Sequence, residues 1–192
     1  MRERGYTLVE LLGATVVMLA LAAVGMPYLR AYLVEARLLA AGRIFKGDFL
    51  RARSMAIRSG VQTAIRFERG SDGADYFAVY MDGNHNGVLS ADITRGIDRR
   101  VLGPRRLDGG AAGVRVGIHP GVPEPPPDRG TLDPERPIRF GSARMLSFSP
   151  LGTATPGTFY LAGEARQAAV RVNPGSARVR LLIWSGGPWQ ER

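Results

Sequence analysis

The chain has no cysteine and only two histidines, His85 and His119, in 192 residues. The first absence excludes disulfide staples and thiolate chemistry, and by itself it indicates no compartment. The scarcity of histidine leaves little room for imidazole catalysis or a zinc site. Paired catalytic acids are missing too. Asp72, Glu124, Asp128, Asp133 and Glu135 fall in turns or in a proline-rich stretch, with no nucleophile or base at a telling spacing. The expectation is therefore a protein that is not an enzyme. What is present is apolar material, 45% of the residues, enough for a core. The length suits one domain with an extension. The formal charge of +9 fits an affinity for nucleic acid or anionic lipid, and equally a basic, soluble surface.

Charge is nearly absent from one place. After the short basic start Met1-Arg2-Glu3-Arg4-Gly5 comes Tyr6-Thr7-Leu8-Val9-Glu10, then an uninterrupted apolar run from Leu11 to Met26. From Tyr6 this is about the 20 residues that a helix needs to cross a bilayer. A secretory signal would place a small-residue cleavage site at its end, and Ala20-Leu21-Ala22 could serve. An acid at the start of the apolar core is a poor feature for such a signal, however, and the apolar pattern continues past the cut. A plain transmembrane anchor fits the length but leaves Glu10 unexplained, since a carboxylate in the membrane costs about 2.5–3.5 kcal/mol on insertion scales.

The segment Gly5-Tyr6-Thr7-Leu8-Val9-Glu10 resembles the type IV prepilin motif: a glycine before the cut, an aromatic first mature residue and a glutamate as the fifth. The resemblance implies cleavage after Gly5 by a prepilin peptidase, N-methylation of Tyr6, and an assembly role for Glu10 opposite the N-terminal amine of a neighbouring subunit. A buried charge is far less costly when paired, so Glu10 would set the register of the fibre. Arg2 and Arg4 would hold the leader on the cytoplasmic side. Pro27 falls where pilin helices commonly kink, because proline removes a helical hydrogen bond.

Beyond Pro27 the helical pattern continues to about Ser59. Leu38, Ala41, Phe45, Phe49, Ala52 and Ala56 recur on one face, and most of the arginines take other positions. Gly60 offers a stop. The chain then reads as strands: Val61–Phe67 in alternation, Tyr76–Met81, short strands near Arg100–Leu102 and Val114–Ile118, then Met145–Ser149, Thr158–Leu161, Ala168–Val172 and Arg178–Trp184. Residues 121–137, with the run Pro125-Pro126-Pro127, read as an extended loop, and Asn173-Pro174-Gly175 as a turn between the last two strands. The expected fold is α+β, a long helix laid on an antiparallel sheet. The expected segments are a leader (1–5), a membrane and assembly half-helix (6–28), an amphipathic half-helix (29–60) and a β-rich globular domain (61–192).

This layout is similar to the GspH/FimT branch of the pilin superfamily. The similarity is carried by Phe148-Ser149-Pro150-Leu151-Gly152 leading into Gly157-Thr158-Phe159-Tyr160-Leu161, and by the late strand Ala177-Arg178-Val179-Arg180-Leu181. It implies a minor pseudopilin or pilin in the tip or initiation complex of a type II secretion pseudopilus or a type IV pilus. The subunit would be single-pass in the inner membrane, with its globular domain in the periplasm before it enters the fibre. Its partners would be other minor and major pseudopilins, the prepilin peptidase and the inner-membrane assembly platform. The alternative is a minor pilin that binds DNA during uptake.

Two stretches are candidate sites. Asp82, Asn84, Asn86, the carbonyl of Val88, Ser90 and Asp92 follow the early spacing of a calcium loop. Position 12, which should carry a bidentate Glu, is Ile93. An Asn/Gly-rich turn capped by its own side chains accounts for the same residues. The second candidate is basic. Arg178 and Arg180 share a strand face with Trp184, and Arg171 sits on the neighbouring strand. Guanidinium groups pair with phosphate and an indole can stack on a base. DNA-uptake members of the family carry Gly-Arg-x-Arg here, with Ala177 standing in this chain at the glycine position. A sheet edge blunted by charge accounts for the same arginines.

Overall fold

The computed structural model describes residues 7–107, 113–173 and 175–192. Gly5 and Tyr6 lie outside the described residues, as does Pro174 of the expected turn.

Helix α1 runs unbroken over Leu8–Ser59. It starts at Thr7, whose hydroxyl accepts from the Glu10 amide while the Glu10 carboxylate accepts from the Thr7 amide, a reciprocal capping box. It ends at Gly60, where φ is 70° and the amide closes on the Ala56 carbonyl. Only glycine enters that left-handed conformation without a Cβ penalty. Pro27 sits inside the helix; lacking an N–H, it leaves the Ala23 carbonyl without the usual bond.

The two halves of α1 differ in what covers them. Leu8, Leu11, Leu12, Val16, Val17, Leu19, Leu21 and Val24 are all exposed, and none of the apolar run is covered by the rest of the chain. In water such a surface would be strongly unfavourable, at about 25 cal/mol per Å². In the second half, the buried residues are Leu38, Ala41, Gly42, Phe45, Phe49, Ala52 and Ala56, the stripe expected from the spacing plus one glycine. Gly42 packs against Leu181: a Cβ there would lie 2.6 Å from a Leu181 methyl.

The strands divide between two antiparallel sheets rather than forming one. The first has the order β3-β2-β1-β6, with β1 Thr63–Arg69, β2 Asp75–Met81, β3 Arg99–Arg106 and β6 Met145–Phe148. The second has the order β10-β9-β8-β7-β4, with β4 Arg115–Val116, β7 Gly157–Ala162, β8 Gln167–Val172, β9 Val179–Trp184 and β10 Gln190–Glu191. A two-residue strand β5, Ile138–Arg139, also pairs with β7. β5, β10 and the short helix α2 (Ser90–Arg95) have no periodic signature, since two to six residues are too few to show one.

One core joins the helix to both sheets. Phe45 and Phe49 from α1 meet Phe67 of β1, Phe77 of β2, Phe140 just after β5, and Phe159 of β7. Phe159 is central: its ring centroid is 4.8 Å from that of Phe45, 6.2 Å from Phe49 and 5.8 Å from Phe67. Between polar elements, Asp48 of α1 pairs with Arg105 of β3, whose guanidinium also lies 4.9 Å above the Phe77 ring.

The outer sheet faces are covered too, which departs from a simple apolar-in, polar-out alternation. On the first sheet Ala64, Ala78 and Tyr80 are buried beneath Val88 and the 82–98 segment. On the second sheet Tyr160, Ala169 and Leu182 pack with Ile118, Val122 and Leu132, flanked by Trp184 and Trp189. The proline-rich loop is thus a strap across the sheet. A Pro123–Thr131 bridge closes the loop on itself, and the Trp189 indole N–H ties it down by donating to the Pro123 carbonyl at 3.0 Å.

Candidate functional sites

The first site is the N-terminal end of α1. Gly5 and Tyr6, the expected cleavage and methylation positions, lie outside the described residues, but Glu10 is placed. Its Oε2 accepts from the Thr7 amide at 2.9 Å and from the Thr7 hydroxyl at 3.0 Å. The carboxylate is therefore not bare in the isolated subunit. Thr7 is a residue whose importance the motif alone did not raise. Its signal is the Thr-x-x-Glu spacing that defines a capping box.

The 82–98 segment uses its acids internally. Asp82 Oδ1 accepts from the amides of Asn84 (3.1 Å) and His85 (2.8 Å), and its Oδ2 from that of Gly87 at 2.8 Å. The Asn84 and Asn86 side-chain amides donate to Asp92 Oδ2, at 3.3 and 2.9 Å. Asp98, which the spacing did not single out, accepts from the amides of Gly83 and Leu89 at 3.1 and 2.9 Å. Val88 turns its side chain into the outer cluster while its amide bonds to Gln62 Oε1 at 2.7 Å. Ser90 begins α2. Asp82, Asn84, Asn86 and Asp92 are thus gathered, with both Asp82 oxygens, Asn84 Oδ1 and Asp92 Oδ2 accepting from backbone or amide donors. Among the described residues no group of three or more histidines or acids is arranged to hold a metal. These bonds cap the turn.

Asp98 is 2% exposed, so its removal leaves two amides without acceptors at a cost of about 1–3 kcal/mol each. Asp98→Ala is expected to lower the thermal midpoint by several degrees in a circular dichroism melt, with millimolar calcium leaving wild type unchanged. A calcium-dependent rise in wild type, lost in Asp82→Asn, would show an ion in the loop instead.

The basic candidates are brought together on the strap side of the second sheet. Arg171 of β8 and Arg180 of β9 are direct cross-strand partners. Like charges placed opposite each other repel, and each has an acid at hand. Arg171 Nη2 is 2.7 Å from Asp128 Oδ2, and its Nη1 donates to the Pro125 carbonyl at 3.1 Å. Arg180 Nη2 is 2.7 Å from Glu191 Oε2, and the exposed Arg178 reaches Glu191 Oε1 at 3.1 Å. Trp184 packs into the outer apolar cluster beside Leu182. Ala177 takes a left-handed conformation, φ 47°, with its methyl buried in the main core. The backbone geometry suited to glycine is thus kept here by an alanine, at some strain.

Arg139, on β5, joins the group. Its Nη1 is 2.6 Å from Glu124 Oε1, and its guanidinium lies 5.6 Å from the ring centroid of Tyr160. Burial, reinforced by Glu124, pushes the Tyr160 hydroxyl up to about 12. The Arg180 hydrogen bond, with the charges of Arg180 and Arg178, holds the Glu191 carboxyl below the usual glutamate range. A folded-state value that is depressed contributes stability above the unfolded value, lost as pH falls through the folded one. The melting difference between wild type and Glu191→Gln should therefore be largest near neutrality and vanish in strong acid. A difference that grows on acidification would contradict the pairing.

A helix that is apolar and uncovered in its first half, long enough to cross a membrane, and seated on antiparallel sheets in its second is a pilin-like layout. The family model for type II transport protein GspH matches residues 41–176, from the seated half-helix to the turn before β9, and the chain belongs to that family. No curated protein and no solved structure matches it. It is accordingly a type II secretion pseudopilin, of a structural family not known for enzymes.

Proposed function

We propose that this chain is a minor pseudopilin that enters the tip or initiation complex of a secretion pseudopilus, or of a related pilus. The observation that carries the proposal is the bare apolar half of α1, headed by one capped carboxylate, joined to a domain of the GspH family. Residues 1–5 are a leader removed by the prepilin peptidase after Gly5, and Tyr6 becomes the methylated N-terminus. Residues 6–28 lie in the inner membrane before assembly and among other helices afterwards, with residues 29–192 on the periplasmic side. Glu10 exchanges its Thr7 partner for the terminal amine of a neighbouring subunit, a step favoured because an isolated charge in lipid is costly and a paired one is not. Pro27 gives the helix a point at which to bend.

Affinity isolation of the full chain from detergent-solubilised membranes tests the assembly role. Other pseudopilins and the assembly platform are expected to co-purify. Isolation of the chain alone, together with normal pseudopilus formation and secretion in cells from which it has been deleted, would contradict the proposal. DNA binding at Arg171, Arg178 and Arg180 is the alternative function, and the acids that already hold these groups weigh against it.

A further inference from the structure

A cavity of about 390 Å³ opens between the strap and the second sheet, lined among others by Glu124, Asp128, Arg139, Tyr160, Arg171 and Arg180. It is rich in donors. A guanidinium carries five N–H groups. Among the described residues, Arg139 spends donors on Glu124 and the Arg136 carbonyl, Arg171 on Asp128 and the Pro125 carbonyl, and Arg180 on Glu191. Each has N–H groups left over, and the three side chains are only 17–29% exposed. The charge count is also uneven. Of the residues that line it, Arg139, Arg171 and Arg180 face only Glu124 and Asp128; Glu191, outside the lining, is shared by Arg180 and the exposed Arg178 at its edge. The set is one carboxylate short.

We infer that this cavity receives a carboxylate side chain presented by an acidic segment of a neighbouring protein subunit, which completes the set of four ion pairs. Arginine suits the task because its planar fork binds carboxylate bidentately. The strap and the sheet hold these forks in place before the partner arrives, which limits the ordering cost of binding. A cavity of this size has room for a side chain or for a larger group, so its charges decide between them. Glu124 and Asp128 interrupt its basic surface, so it offers no continuous groove to a run of phosphates, whereas a single carboxylate needs only the spare N–H groups of the arginines. The inference rests on the reading of the chain as an assembly subunit, and it adds a second contact far along the chain from Glu10.

Both tryptophans of the chain, Trp184 and Trp189, lie on this face, so intrinsic fluorescence reports on it. The full chain in detergent micelles would be titrated at low salt with a blocked peptide of alternating Gly and Glu, its Gln counterpart, and a short thymidine oligonucleotide. A saturable change is expected with the Glu peptide and none with the Gln peptide. Arg139→Gln combined with Arg171→Gln should weaken binding by about tenfold or more, the effect of losing two charge-assisted contacts. Arg99→Gln combined with Arg100→Gln, on the exposed β3 edge, should leave it unchanged. If the first double variant does not melt cooperatively, Arg139→Lys takes its place and should still weaken binding measurably. No saturable response to the Glu peptide, equal loss in the β3 variant, or displacement of the peptide by a tighter-binding oligonucleotide would overturn the inference. None of these results bears on cleavage after Gly5 or on Glu10, which are read in cells.

Discussion

Glu10→Ala is expected to leave the chain in the membrane and to remove it from the fibre. The apolar run from Leu11 to Met26 is untouched by the substitution, and deleting a charge from the head of a membrane helix eases insertion. What disappears is the partner proposed for a neighbour's terminal amine. A pairing advantage of even about 1.4 kcal/mol corresponds to tenfold in the assembled fraction, so recovery of the variant with other pseudopilins should fall by about tenfold or more. The capping box offers a sharper control. Glutamine can replace glutamate in such a box, so Glu10→Gln keeps the helix start and loses only the charge. If the charge matters, Glu10→Gln fails in assembly as Glu10→Ala does. If Glu10→Gln assembles normally while Glu10→Ala does not, the role of Glu10 is to cap α1, and the registry argument is wrong.

The second large effect lies in the core. Phe159 is 0% exposed and its ring lies against rings from α1 and β1, so it holds the helix and both sheets together. Phe159→Ala is expected to destabilise the domain by about 3–5 kcal/mol, from lost transfer energy and the cavity left behind. Against a total stability of about 5–15 kcal/mol, that loss brings the domain close to unfolding at growth temperature. Urea titration of the two proteins measures it directly. A change below about 1 kcal/mol would mean that the three layers do not share one core.

The long elements were legible in the sequence. The stripe Leu38, Ala41, Phe45, Phe49, Ala52 and Ala56 is buried as its spacing predicts, because a helical period sustained over several turns has few alternatives. Gly60 ends the helix as expected, because the end requires a positive φ. The division into two sheets was not legible. Which strands pair depends on long-range contacts, and β1 and β6, which pair in the first sheet, are separated by more than seventy residues. The covered outer faces were hidden for a related reason. Ala64, Ala78 and Ala169 are small enough to be read as solvent-facing, until Val88 on one side and the strap on the other bury them. At the candidate sites, residue type left a calcium loop beside a self-capped turn, and phosphate ligands beside a sheet edge blunted by charge. The structure gives Asp82 and Asp98 to backbone amides, and Arg171 and Arg180 to Asp128 and Glu191. Partners distant in sequence, such as Asp128 and Glu191, cannot be found by local spacing.

The mass of the mature N-terminal peptide tests the central claim most directly. Full chain isolated from cells with an active prepilin peptidase should yield an N-terminal fragment that begins at Tyr6 and carries one added methyl group. The same chain from cells lacking the peptidase should begin at Met1. A mature chain that begins beyond Ala22, or one that keeps residues 1–5 in the presence of the peptidase, would contradict the account.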